Sequence, residues 1–324
     1  MNAQVSGGST SRRAILLRIL GLVIATTAIV ICVRTLVLEW PAVSTALYGA
    51  EPGWIVVGFA CAAVGMWFLA LLWQQTLRVF DTPVGLLTAT AWFFAGELGK
   101  YLPGGIWPVV GRGELARRGG VDRSIGYSTT LLSTGLMCIG GAIACALFLP
   151  FAGAAGLATG WGLSVLLIIP VGLAVVHPAI FGPILSLVDR VSKGRIRLKA
   201  PRWGQMIGLI CVSVPTWLLI GAATAMVTQG LGFEQQPGRI AFAAVCAWVV
   251  GLLAIPVPAG AGIRELVFVL LSGLAGGPAV AVAAVCRIMF VAIDAVGGTA
   301  SLLWLRVTRK PTPAEIGAAD NADT

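Results

Sequence analysis

Charged residues are scarce in this chain: Asp, Glu, Lys and Arg make up 11% of 324 residues, while hydrophobic residues make up 58%. A soluble domain carries roughly a quarter of its residues charged, so that class is excluded. Histidine is almost absent. His177 stands alone beside Pro178 at the end of an apolar run, which suits an interfacial residue better than a ligand or a catalytic base. No Gly-x-x-x-x-Gly-Lys-Ser/Thr phosphate loop is present, so any driven process must draw on a gradient or a partner. There is no Cys-x-x-Cys pair either. All seven cysteines (Cys32, Cys61, Cys138, Cys145, Cys211, Cys246 and Cys286) lie inside apolar runs without a histidine or acid at ligand spacing. They read as small core hydrophobes, with no metal site and no disulfide among them.

What the chain has instead is apolar length. Runs near twenty residues long read as full spans at about 14–38, 54–77, 124–149, 156–176, 206–230 and 278–305. Each is long enough to cross roughly 30 Å of hydrocarbon at about 1.5 Å per residue. The 42 Gly and 17 Pro fit that setting, where neighbouring helices satisfy freed backbone groups. Arg12-Arg13 before the run Ala14 to Val33 has the charge of a signal peptide, but the run is long and lacks a small-x-small cleavage site, so a retained first span is expected. Most of the eleven Trp fall near span ends, as Trp40, Trp54, Trp203 and Trp304 do, where interfacial anchoring accounts for them. The expectation is an all-α integral membrane protein: a cytoplasmic tail at 1–13, a single polytopic membrane domain over 14–306, and a polar, disordered tail at 307–324.

Two further apolar stretches are broken. Val84 to Gly99 contains Glu97, continues into Lys100 and Tyr101, and breaks at Pro103-Gly104-Gly105 before a short apolar piece, Ile106 to Val110. Ile240 to Ile255 breaks at Pro256-Val257-Pro258-Ala259-Gly260, passes Gly262, and resumes over Arg264 to Ala275. If both are re-entrant hairpins, the N-terminal tail, the Arg78 turn, the 112–123 segment, the 190–202 loop and the C-terminal tail share one side, with 17 of the 22 basic residues. Cytoplasmic loops collect Lys and Arg, so that side is the cytoplasm, and reading either stretch as a full span would put at least one basic loop outside. Topology thus accounts for the +9 charge without a nucleic-acid partner. Six full spans and two hairpins, eight segments in all, with both termini inside, are expected. Three spans separate the hairpins, so they enter from opposite faces. Gly-Arg-Gly-Glu-Leu (111–115) after Pro-Gly-Gly and Gly-Ile-Arg-Glu-Leu (262–266) after Pro-Ala-Gly form a faint echo of that inversion.

The charges that remain within the apolar segments carry the chemistry. Arg264 and Glu265 open a half-helix just after a Pro/Gly break, and Arg287 and Asp294 lie two turns apart on one face of the last span. A charge at bilayer depth costs about 2.5–3.5 kcal/mol on insertion scales, so four unpaired ones would cost roughly 10 kcal/mol. They either clamp the last span to the hairpin as ion pairs or line a wet cavity. A half-helix N-terminus with free N–H groups beside two guanidiniums suits a phosphate or carboxylate. In the first hairpin Glu97, Lys100 and Tyr101 precede the break, and Arg112 and Glu114 follow it. Arg112 belongs to a basic stretch with Arg117, Arg118 and Arg123 that also serves as a topology determinant.

Gly-Lys-Tyr-Leu-Pro-Gly-Gly-Ile-Trp at 99–107, Gly-Arg at 111–112, Arg-Arg-Gly-Gly-Val at 117–121, Pro-Ala-Gly-Ala-Gly-Ile-Arg-Glu at 258–265 and an Arg in the next span together carry a resemblance. The chain resembles the lysylphosphatidylglycerol synthase transmembrane-region family, which includes the flippase part of bacterial multiple peptide resistance factors, over roughly residues 14 to 306. The resemblance implies an eight-segment lipid-translocating bundle in a bacterial cytoplasmic membrane. Synthase members carry a soluble aminoacyl-transferase domain after the membrane part, whereas about 18 polar residues follow Arg306 here, so lysine transfer by this chain alone is not expected.

The expected function is therefore a flippase for a membrane phospholipid or polyprenyl-phosphate lipid, without cofactor or metal, rather than an enzyme. Lys100, Tyr101, Arg112, Arg264 and Arg287 would bind substrate, and Glu97, Glu114, Glu265 and Asp294 would support them. The hairpin breaks would be Pro103, Gly104, Gly105, Pro258, Gly260 and Gly262. A membrane-embedded headgroup transferase and a non-catalytic subunit of a lipid-modifying complex remain alternatives, as do a homodimer and a complex with such an enzyme.

Overall fold

Small residues set where the long helices meet. The computed structural model describes residues 40–102, 106–151, 201–253, 260 and 262–308, with the isolated positions 37 and 183. In chain order they form α1 (Trp40–Tyr48), α2 (Pro52–Val79), α3 (Leu86–Glu97), a 3₁₀ turn (Leu98–Tyr101), α4 (Trp107–Arg118) and α5 (Arg123–Phe148), which a 3₁₀ turn extends to Phe151. Then come α6 (Trp203–Gly230), α7 (Pro237–Leu253), α8 (Ile263–Ser272) and α9 (Gly276–Val307). Among the described residues there is no strand. Four helices, α2, α5 with its extension, α6 and α9, are long and apolar enough to cross a membrane, so the protein is multi-pass. They coincide with four of the six expected spans. The expected spans 14–38 and 156–176, the 1–13 tail, His177 and residues 309–324 lie outside the described residues.

The shorter helices fall on the two broken stretches. α3 and α4, of 12 residues each, flank the first break, and α7 and α8, of 17 and 10 residues, flank the second. Pro103, Gly104, Gly105 and Pro258 lie outside the described residues. Gly260 and Gly262 are described, at φ +65° and +84°, a region that favours residues without a Cβ.

α2 and α6 form the central pair. A Cβ on Gly58 would sit 3.0 Å from the Ala223 carbonyl oxygen, and one on Gly65 would sit 3.2 Å from that of Thr216. Close backbone approach of this kind replaces the hydrophobic driving force that lipid removes between helices. Trp73 and Trp217 are buried in the bundle, and the Trp217 indole N–H donates to the Met137 carbonyl at 2.9 Å, tying α6 to α5. Interfacial anchoring therefore describes Trp40, Trp54, Trp203 and Trp304, which sit at or near helix ends, but not these interior indoles. Cys145 of α5 and Cys246 of α7 are free thiols whose sulfurs lie 3.2 Å apart, packed as small apolar groups.

The start of α5 and the end of α8 are both capped. Asp122 precedes α5 and accepts from the Ser124 hydroxyl at 2.7 Å and the Ser124 N–H at 2.8 Å, which hold its carboxyl below the usual carboxylate range. α8 ends at Gly273 in the left-handed conformation, φ +73°. The Arg239 guanidinium from the first turn of α7 packs against that glycine, and its Nε donates to the Leu271 carbonyl at 3.3 Å. A cation at a helix C-terminus satisfies its last carbonyls. Gly273→Ala adds a Cβ where both the backbone angle and Arg239 reject it. Its expected cost is about 2 kcal/mol, read as a lower melting temperature of the purified protein in detergent.

Candidate functional site

The first hairpin delivers its charges through the 3₁₀ turn that continues α3. Lys100 Nζ lies 2.7 Å from Asp294 Oδ2 on α9 and 3.3 Å from Glu97 Oε1. The Tyr101 hydroxyl donates to the same Asp294 Oδ2 at 2.6 Å, and Arg112 on α4 donates from Nη2 to Glu97 Oε2 at 2.8 Å. Arg112, Glu97, Lys100, Asp294 and Tyr101 are therefore one continuous chain of charge-assisted contacts. Asp294 is 0% exposed, and its Oδ1 has no hydrogen-bond partner among the described residues. Glycines let the hairpin reach that depth: Phe94 and Leu98 of its first limb pack directly on Gly297 and Gly298 of α9.

The second hairpin meets α9 two turns earlier. Glu265 Oε1 lies 3.5 Å from Arg287 Nη1, and Glu265 Oε2 accepts the Gly262 N–H at 2.6 Å. The helix end expected to offer free N–H groups is thus partly capped by its own acid. Arg264 is held differently. Its guanidinium carbon lies 3.3 Å above the Trp248 ring and 6.0 Å from Phe290, and no carboxylate among the described residues forms an ion pair with it. Trp248 is itself braced edge-on by Trp217 and Phe290. Arg264 and Glu265 open onto a cavity of about 40 Å³, which Thr224 of α6, Trp248 of α7, and Arg287 and Phe290 of α9 complete.

The two hairpins share a device. In the first, Arg112 lies across Gly96 with its guanidinium carbon 4.3 Å from the ring of Phe93, three residues earlier. In the second, Arg264 lies across Gly251 and on Trp248, again three residues earlier. Aromatic-x-x-Gly before each break builds a slot one arginine wide: the missing Cβ makes room for the side-chain stem and the ring receives the guanidinium face. The residue after the glycine is Glu97 in one hairpin and Leu252 in the other. That difference supplies Arg112 with an acid and leaves Arg264 with none among the described residues.

The anticipated grouping of Arg264, Glu265, Arg287 and Asp294 thus resolves into two clusters. Asp294 holds the first hairpin's Lys100 and Tyr101, and Arg287 holds the second hairpin's Glu265. The two positions are about 10 Å apart along α9. Glu114 is apart from both, paired with Arg117 and Arg118 at 2.8 and 3.1 Å on the exposed end of α4. Among the described residues of both clusters, the four cations Lys100, Arg112, Arg264 and Arg287 outnumber the three acids Glu97, Glu265 and Asp294 by one. Sequence reasoning missed Phe93, Trp248, Gly96 and Gly251. Their repeated spacing before the two breaks was the signal available.

No curated protein matches the chain at a significant level. A family model described as the lysylphosphatidylglycerol synthase TM region matches residues 18–296, a stretch that contains both hairpins and both clusters. The chain is therefore a membrane protein of the lysylphosphatidylglycerol synthase transmembrane-region family.

Proposed function

We propose that this protein is a translocase that moves a lipid with a phosphate-bearing headgroup across a bacterial cytoplasmic membrane, both termini facing the cytoplasm. The observation that carries the reading is Arg264, a cation with no acid partner among the described residues, which lines a cavity formed by four helices. An uncompensated cation at bilayer depth costs about 2.5–3.5 kcal/mol unless something anionic visits it. A phosphodiester is an anion of that kind, and a guanidinium already flattened on an indole offers its fork of donors to two phosphate oxygens.

The contacts along α9 support two hairpins re-entering from opposite faces. α8 runs back from Glu265 opposite Arg287 to Ser272 beside the start of α9, while α3 descends past Gly297 and Gly298 to Asp294. Both tips therefore meet the middle of a 32-residue helix, approached from its two ends. A headgroup passing between them meets Arg264, Arg287 and then Lys100, with the Tyr101 hydroxyl and Arg112 beyond, while its acyl or prenyl tails stay in hydrocarbon. Glu265, Glu97 and Asp294 hold those cations when no lipid is bound.

The purified chain in proteoliposomes is the test, with labelled phosphatidylglycerol, aminoacylated phosphatidylglycerol and polyprenyl-phosphate probes beside a phosphate-free glycosyl-diacylglycerol. At least one phosphate probe is expected to cross faster than in empty liposomes while the phosphate-free lipid does not. Movement of no probe by correctly folded protein would overturn the reading in favour of a membrane subunit of a lipid-modifying complex.

A further inference from the structure

We infer that Asp294 is a proton-binding group whose protonation is coupled to occupancy of Lys100, so that each lipid phosphate crosses together with one proton. The inference rests on the proposed translocation and adds what drives it. Its basis is the way Asp294 is loaded. One oxygen, Oδ2, takes both of its donors, Lys100 at 2.7 Å and Tyr101 at 2.6 Å. The other, Oδ1, is buried with no hydrogen-bond partner among the described residues, on a carboxylate that is 0% exposed. A structural ion pair at this depth gains most when both oxygens are satisfied, and this one leaves a lone pair empty in the interior.

Lys100 has two acids to choose between, since Glu97 Oε1 is 3.3 Å away and is itself held by Arg112. When a phosphate takes Lys100, Glu97 keeps Arg112, but Asp294 keeps only the Tyr101 hydroxyl. Among the described residues no other cation lies within ion-pair distance of Asp294, although Arg264 acts on it, and Arg287 on Tyr101, through space. On the second hairpin, Arg264 lies on Trp248 and Glu265 faces Arg287. On α9 itself Arg287 is two turns away, α1 and α6 carry no acidic or basic side chain, and α2 carries only Arg78 in its last turn. Taking up a proton removes the cost of a buried carboxylate that has lost its ion-pair partner. One proton from the adjoining solution binds Oδ1, and the same proton leaves when the phosphate departs and Lys100 returns to Oδ2. The loaded site then carries the phosphate's negative charge and one added proton, so the lipid and proton move together without net charge.

Two measurements test this on the full chain. In weakly buffered detergent solution with a pH-indicator dye, titration with short-chain phosphatidylglycerol is expected to take up about one proton per lipid bound, and Asp294→Asn is expected to bind lipid without that uptake. In proteoliposomes with an imposed pH difference, the native chain is expected to accumulate the phosphate probe in the leaflet facing the alkaline side, while Asp294→Asn only equilibrates it. Binding without proton uptake by the native chain, or uptake that survives in Asp294→Asn, would overturn the coupling and leave Asp294 a brace between α9 and the first hairpin. If Asp294→Asn does not fold, the native chain's own proton count decides. A probe that moves but ignores the pH difference refutes the coupling while the translocase stands. A chain that neither binds nor moves any phosphate probe refutes both.

Discussion

Replacing Arg264 by alanine is expected to lower translocation of the phosphate probe by about 100-fold while leaving the protein as stable as before, or slightly more stable. Hydrogen bonds from a charged donor contribute roughly 1.5–3 kcal/mol each, and about 1.4 kcal/mol is a factor of ten. The stability half of the expectation comes from the site itself. Arg264 has no acid partner among the described residues, only the faces of Trp248 and Phe290. Its removal forfeits a cation–π contact worth about 2 kcal/mol and relieves an uncompensated charge that costs at least as much. Arg264→Lys is expected to fail almost as badly, because an ammonium can neither lie flat on the Trp248 indole nor present a planar fork to two oxygens. Transport rates and detergent melting temperatures of the same preparations check both halves. A stable Arg264→Lys with native transport would mean that only positive charge is needed there.

How much of this was legible in the residues depends on whether the signal was local. The four described long helices follow from apolar runs between basic turns. The Pro/Gly breaks announced short helices on either side. Arg264, Glu265, Arg287 and Asp294 were conspicuous because charge at that depth is costly. Which acid meets which base was not legible, because the partners are far apart in sequence. Asp294 and Lys100 are brought together by Phe94 and Leu98 seating on Gly297 and Gly298, a fit that no periodicity in either segment announces. Nor did charge counting separate Arg112 from Arg264. They differ because Glu97 follows one slot glycine and Leu252 follows the other, and that contrast acquires meaning only once both arginines are seen to lie across a glycine. Glu114, which follows the first break with Arg112, pairs with its helical neighbours Arg117 and Arg118, contacts that its i,i+3 and i,i+4 spacing made legible.

The paired slots give alanine two different outcomes at two glycines. At Gly96 a Cβ would lie 2.6 Å from Arg112 Cγ and 2.9 Å from the Arg112 backbone nitrogen. Backbone cannot step aside without moving α4, which also meets α3 where Gly111 sits on Gly96, 3.1 Å from its own ideal Cβ to the Gly96 Cα. Gly96→Ala is therefore expected to pry the first hairpin apart and break the ion pair between Arg112 and Glu97, at about 3 kcal/mol, the upper range for overpacking. At Gly251 the nearest atoms a Cβ would meet are all in the side chain of Arg264, its Cγ, Cδ and Cβ, and the Gly251 backbone is itself packed against Gly260, whose ideal Cβ lies 2.9 Å from the Gly251 Cα. The stem has to turn at its root to clear the new methyl, so Gly251→Ala is expected to cost about 1–2 kcal/mol in stability, less than Gly96→Ala because no backbone atom of the opposing helix is among its nearest contacts. What it removes is the posture of Arg264: the stem leaves the slot, the guanidinium leaves the Trp248 face, and translocation falls nearly as far as in Arg264→Ala. Melting temperature and probe transport measured side by side separate the two, the first falling mainly in Gly96→Ala and the second in Gly251→Ala. Equal losses of stability in both would mean that the second slot, like the first, is where two helices touch, and that Arg264 is placed by packing alone.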